Sequence, residues 1–294
     1  MKNDLRSYTL FLLFAISGIC SADEPTQTPI APESITHAIV ARSDLVYDKP
    51  AEQPDAGQPI GNGRMGTMVW TSPNAVHLQI NRVDVFAVNC DHLGRPGQVG
   101  SATDYCGGIA SVTIDVGSQA FATGEEKPFR QKLSLVNAKC TIEGIGFQVH
   151  TFVSAAHDVL VMELDDRRPQ PEPIQVAVSM LRPPEVIAGD HIATTRFIDD
   201  PKRIALMQQF REREYYNASA VYVGLANGEP VAIEPSSERM RTLVIPAARG
   251  KRIVLITTAA GWKSEQDPSK DARNLFEQVS LQSADELRAA HQQH

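Results

Sequence analysis

The sequence predicts a mainly β protein: a large antiparallel β-sandwich closed by a helical linker. Three observations predict it. From about residue 37 to 260 the apolar residues recur with period two, the pattern of strands with one face in a core. The joints between these runs carry glycine, asparagine and proline, and few helical stretches separate them, which favours an antiparallel sandwich over a parallel α/β sheet. The last thirty residues change character, to a helical period.

The chain has 294 residues and a formal charge of −7. Lys2 and Arg6 precede a short apolar run, Tyr8 to Ile16, and the small residues Ser17 to Ala22 follow. That is the layout of an export signal, so residues 1–22 are expected to be removed and the protein to be periplasmic or extracellular. The apolar run is well short of the roughly 20 residues that span a bilayer. A mildly acidic chain with no basic run argues against nucleic acid and anionic membrane as partners. Residues 23–36 hold three prolines and little apolar material, and read as a flexible leader.

The sandwich is expected over 37–262. Val112, Ile114 and Val116 alternate with polar residues, as do Phe147 to Val153, Leu160 to Leu164, Ile174 to Met180, Val221 to Leu225, and Leu243 with Ile245. Glu143-Gly144, Ala226-Asn227-Gly228 and Arg249-Gly250 read as hairpin turns. Pro201 to Tyr216 carries Ile204, Met207 and Phe210 at helical spacing and reads as a short surface helix. The linker is expected over 263–294. Ala272, Leu275, Phe276 and Val279 form one face of an amphipathic helix. Ser283-Ala284-Asp285-Glu286 is a capping box that opens another. No glycine or proline stop follows it, so a larger helical part is expected beyond residue 294.

Pro59 to Gly66, "PIGNGRMG", spells G-x-G-x-x-G with Gly61, Gly63 and Gly66, and Asp84 lies where a dinucleotide fold holds the ribose. The context excludes that reading. Prolines crowd the segment before Gly61, and the strand-like "TMVW" follows Gly66 where a phosphate-binding helix N-terminus is needed. The glycines read instead as a tight structural turn, with Asn62 and Arg64 as candidates to face a polar ligand at the sandwich edge.

Here the residues reach a known family. "YDKPAEQPDAGQPIGNGRMGTMVW" (47–70) and "HLQINRVDVF" (77–86) resemble the start of the N-terminal β-sandwich of glycoside hydrolase family 95 and its relatives. Cys106-Gly107-Gly108 and the strand after it look more like a branch of that group apart from its fucosidases. The closing helix resembles the linker into the family's (α/α)6 barrel. The resemblance implies an inverting glycosidase acting on α-L-fucosides or α-L-galactosides, with its acid, base and water-activating asparagines in that barrel. It therefore implies no catalytic residue in this chain, which alone should be inactive, and no cofactor. The implied partners are a carbohydrate and the intramolecular barrel, with Asn62, Arg64, Asn81 and Asp84 as substrate-contact candidates. The alternative is a free-standing carbohydrate-binding or structural module.

Other constellations are weaker. Asp165-Asp166-Arg167-Arg168 and Asp199-Asp200 read as solvated turns, and Glu212 and Glu214 as a solvated charged face. The eight histidines are scattered, and no metal site is expected. Outside the signal, Cys90, Cys106 and Cys140 leave open a Cys90–Cys106 bridge or three buried thiols. Trp70 reads as core, and Trp262 as packing the first closing helix. Asn217-Ala218-Ser219 is a formal glycosylation sequon.

Overall fold

The computed structural model describes residues 33–87, 106–124, 129–188, 190–228 and 231–292. The expected signal and most of the leader lie outside them, as do Cys90 and the side chain of Cys106. A short helix, α1 (Glu33–Ala41), takes in the end of the leader segment.

The strands follow in chain order. The first six are β1 (Leu45–Tyr47), β2 (Gln58–Gly61), β3 (Met65–Ser72), β4 (Ala75–Phe86), β5 (Cys106–Asp115) and β6 (Arg130–Ser134). Next come β7 (Lys139–Gly144), β8 (Phe147–Val153), β9 (Val159–Asp166), β10 (Ile174–Met180), β11 (Glu185–Ala188) and β12 (His191–Ile198). The last are β13 (Ile204–Glu212), β14 (Tyr215–Leu225), β15 (Ala232–Ser237), β16 (Met240–Ile245) and β17 (Gly250–Gly261). Two helices close the chain, α2 (Pro268–Ser280) and α3 (Ala284–Gln292).

These strands form two antiparallel sheets. One has ten strands in the order β1-β6-β7-β8-β9-β17-β14-β13-β12-β11, the other seven in the order β15-β16-β10-β5-β4-β3-β2. The predicted sandwich is thus present. Its main core lies between the sheets, where Leu78, Ile80, Val112, Ile114, Val176 and Val178 meet Leu160, Met162, Leu206, Val221 and Ile256.

A second apolar layer sits on the outer face of the ten-stranded sheet. There Phe152, Val159, Val161, Ala220, Tyr222 and Leu255 pack against Ala272, Phe276 and Val279 of α2 and Leu287 of α3. This explains why every residue of β9 is buried: one face meets the seven-stranded sheet and the other the helices. Asp267 caps α2 by accepting from the Ser269 N–H. The capping box of α3 is formed as expected, with the Ser283 N–H donating to Glu286 at 2.7 Å and the Glu286 N–H to Ser283 Oγ at 3.2 Å.

Several local expectations are corrected. Residues 204–212 are a strand, not a helix. Ile204, Leu206 and Phe210 point into the main core, and pairing with β12 on one side and β14 on the other decides between two periods that the short run satisfied equally. Glu143-Gly144 does lead a hairpin, between β7 and β8. The other two expected hairpin turns connect the sheets instead, because β14 and β15, and β16 and β17, belong to different sheets.

Charges read as solvated are buried where a partner reaches them. Asp166 and Arg168 are 2% and 6% exposed and pair at 2.6 Å, and the Arg168 guanidinium also donates to the Val116 carbonyl. Glu212 is buried against His191. Asp199 is fully solvated, as expected, while the Asp200 side chain is covered. Trp70 is half-buried and stacked on His77 rather than in the core. Trp262 is 47% exposed, its backbone N–H held by Gln266.

Candidate functional site

The Gly-rich turn joins β2 to β3. Gly61 and Gly66 face each other across the hairpin, where a Cβ on Gly61 would lie 2.9 Å from the Met65 carbonyl oxygen. Gly63 takes a φ of +86°, which glycine adopts at least cost. A short strand does precede the first glycine, contrary to the sequence reading, but it is the edge strand of its sheet, where Pro59 is tolerated. A strand and not a helix follows the third glycine, so the turn offers no helix N-terminus.

Asn62 organises the turn. Its Oδ1 accepts from the backbone N–H of Arg64 at 3.0 Å and of Met65 at 2.8 Å, an Asx turn. Its Nδ2 reaches across to the other sheet and donates to the carbonyls of Ser154 and His157 at 3.0 and 3.2 Å. Asp158 Oδ1 lies 3.3 Å from the same nitrogen. Residues 154–158 are the turn between β8 and β9, so Asn62 bolts a hairpin of one sheet to a hairpin of the other.

Asp158 is the centre of the joint. Its Oδ2 accepts from Arg82 at 2.8 Å and from Arg64 at 3.3 Å. Arg82 is 4% exposed and grips Asp84 with both ends of its fork, at 2.7 and 2.6 Å. The same guanidinium donates to Thr258 Oγ1 on β17 at 3.0 Å. Burial works against the charge on Arg82, but hydrogen bonds and attraction from Asp84 and Asp158 outweigh it and raise its pKa above the ordinary value. Asn217 Nδ2 donates to the Asp84 carbonyl at 3.1 Å and ties β4 to β14.

The structure therefore brings Asn62, Arg64 and Asp84 into one network, with Arg82, Asp158 and Thr258 as members that the sequence reading missed. Arg82 stood inside the "INRVDVF" segment, but nothing marked it apart from its neighbours. Asp158 and Thr258 carry no local signal, because only topology brings them to the turn. Asn81 stands apart: it lies opposite Gly66 on the outer face of the seven-stranded sheet and accepts from Gln79 at 3.3 Å. Of the four candidates, Arg64 is the solvated one, with 65% of its side chain exposed. Beside the turn is a cavity of about 720 Å³ lined by Gly61, Asn62, Asn137, Val153 and His291 among others. His291 stacks on Phe152 and its Nε2 lies 2.9 Å from the Asn137 carbonyl oxygen.

Both carboxylates at the joint are engaged by guanidinium groups, so the arrangement suits holding and positioning rather than proton transfer. Among the described residues no cluster of three His, Cys, Asp or Glu could hold a metal ion. No helix among them is long and apolar enough to cross a membrane. Asn217 of the sequon is fully buried in β14.

The sequence matches no family model and no curated protein. Similar solved structures exist at low identity. A protein from the human microbiome assigned as a kojibiose phosphorylase aligns over 85% of this chain and 37% of its own length, at 10% identity and a TM-score of 0.46. A family GH92 α-mannosidase from Bacteroides thetaiotaomicron aligns over 81% and 34%, at 11% identity and a TM-score of 0.43. A bacterial glucoamylase complexed with acarbose aligns over 85% and 40%, at 6% identity and a TM-score of 0.31. The chain thus spans less than half the length of each of these proteins.

Proposed function

We propose that this chain is the non-catalytic N-terminal β-sandwich of an exported glycoside hydrolase of the family 95 type, supporting and rimming an (α/α)6 barrel that cleaves glycosidic bonds. One observation carries the reading. The two stretches on which the family resemblance rests, 47–70 and 77–86, meet at one joint, where Asn62, Arg64 and Arg82 converge on Asp158 and Arg82 also grips Asp84. The closing helices support it. They lie on the ten-stranded sheet and are pinned by an ion pair between Arg288 of α3 and Glu163 of β9 at 2.5 Å. A further helical domain could continue from a linker held in this way. In this role Arg64 is the residue placed to reach the rim of a pocket, while Asn62, Arg82 and Asp84 hold it in place.

The test compares this 294-residue chain with the product of its full reading frame on aryl α-L-fucosides and α-L-galactosides. The short chain is expected to release no aryl alcohol and the longer one to release it. Turnover by the short chain would overturn the non-catalytic assignment. A reading frame that stops at residue 294, or an inactive longer product, would overturn the barrel.

A further inference from the structure

The two closing helices are held to the ten-stranded sheet in different ways. α2 buries Pro268, Ala272, Phe276 and Val279. α3 fully buries only Leu287. Its nine residues are fewer than an isolated helix needs to be stable in water, so α3 keeps its shape through contact with the sheet. The contacts that remain are polar or aromatic. Arg288 donates to Glu163 of β9 at 2.5 Å, and the Glu163 side chain is 5% exposed. His291 stacks on Phe152 of β8 with centroids 4.7 Å apart, and its Nε2 lies 2.9 Å from the Asn137 carbonyl oxygen. His150 shares a face of β8 with Phe152 and stands opposite Glu163 in the β8–β9 register. Its Nδ1 lies 3.1 Å from Thr141 Oγ1 on β7.

We propose that α3 and this sheet form a pH-sensitive latch, closed at neutral pH and loosened when His150 takes up a proton. The charged groups around that ring are Lys139 and Glu143 on β7, Glu163 on β9 and Arg288 on α3. With α3 docked, the Glu163 carboxylate is already held by Arg288. An imidazolium at His150 then adds a further cation beside Arg288 and Lys139. With α3 released, Arg288 is gone and Glu163 is left to the imidazolium. The proton therefore binds better to the open form, and by linkage it favours opening. The docked ring shows the same sign. Burial, and after it Lys139 and Arg288, hold its pKa below the ordinary 6.5, against the pull of Glu163 and Glu143. Docking is thus at full strength well above pH 6.5 and weakens as pH falls below it. In the proposed enzyme α3 belongs to the linker, so the latch would make the joint between sandwich and barrel firm at neutral pH and loose in acid. The latch itself rests on the packing of α3 and not on the barrel.

The test is amide hydrogen exchange of the 294-residue protein at pH 7.5 and pH 5.5, read by mass spectrometry and corrected for the pH dependence of intrinsic exchange. Protection of α3 is expected to fall at least threefold at pH 5.5, within the limit of about tenfold per pH unit that one proton sets. Protection of α2 should change less than twofold. In His150→Gln the fall in α3 should shrink to under twofold. In His291→Gln, which removes the other ring on this side of α3, the fall should persist. His150→Asn takes the place of His150→Gln if that variant does not fold. Equal protection of α3 at the two pH values, an equal loss in α2, a loss that survives in a folded His150 variant, or one abolished by His291→Gln would each overturn the proposal. No glycosidase activity enters the assay, so its failure would leave the proposed barrel standing.

Discussion

At the scale of single residues, Asn62 and Arg64 separate two roles that adjacent positions in one motif can hide. Asn62→Ala leaves the carbonyls of Ser154 and His157 without their donor, and should cost about 1–3 kcal/mol in denaturant unfolding. Arg64→Ala removes an exposed group from an aspartate that keeps Arg82, and should leave stability within about 0.5 kcal/mol. Cys140 makes a chemical prediction. Burial pushes its thiol pKa up to about 12, so it should resist alkylation at pH 8 in the folded protein and react fully in denaturant, read by peptide mass mapping. His77 makes a prediction about pH. Burial holds its pKa below the ordinary 6.5, against the smaller pull of Asp115. Below pH 6.5 the unfolded chain therefore binds a proton that the folded ring refuses, and stability falls as pH falls through that window. A flatter pH–stability curve in His77→Gln is expected. His150, lowered by the same cause, would supply the slope that remains.

At the scale of elements, the helices and the turns set the stability of the frame. Phe276→Ala should cost about 3–5 kcal/mol, because the ring is buried between α2 and the ten-stranded sheet. A Cβ on Gly144 would lie 2.1 Å from the Ala120 carbonyl oxygen, a backbone atom that cannot yield cheaply, so Gly144→Ala should cost at least as much as an overpacked core, about 1–3 kcal/mol. Gly63→Ala meets nothing within 4 Å and should cost only the left-handed backbone, about 1–2 kcal/mol. Thermal melts of the three variants order these effects. The elements were legible in the sequence wherever one period ruled. Val112 to Val116 and Ile174 to Met180 could be nothing but strands, and the face of α2 was plain from Ala272 to Val279. The 204–212 strand was not legible, because Ile204 and Phe210 fit both periods and the neighbours that decide are β12 and β14.

At the scale of the whole molecule, the layering assigns the outer surfaces. The ten-stranded sheet carries α2 and α3 on its outer face, and the seven-stranded sheet carries neither. The sequence made the sandwich readable but not which strands share a sheet, because period two says that a strand has two faces and not what lies beside it. For the same reason the site was half readable. The turn was visible in "PIGNGRMG", while Asp158 and Thr258 join it only through pairing across the fold.

One feature of that pairing bears on how the protein is made. The ten-stranded sheet consists of two blocks, β1-β6-β7-β8-β9 and β14-β13-β12-β11, and β17 alone lies between them. Among the described residues β17 is also the last strand in chain order. While the ribosome is still short of residue 261, β9 and β14 each present a bare edge of unpaired backbone groups beside a growing apolar face. Such edges recruit other chains. The nascent sandwich is therefore most exposed to aggregation just before β17 is made, and pulses of ribosome pausing before β17 should lower soluble yield more than equal pauses after it.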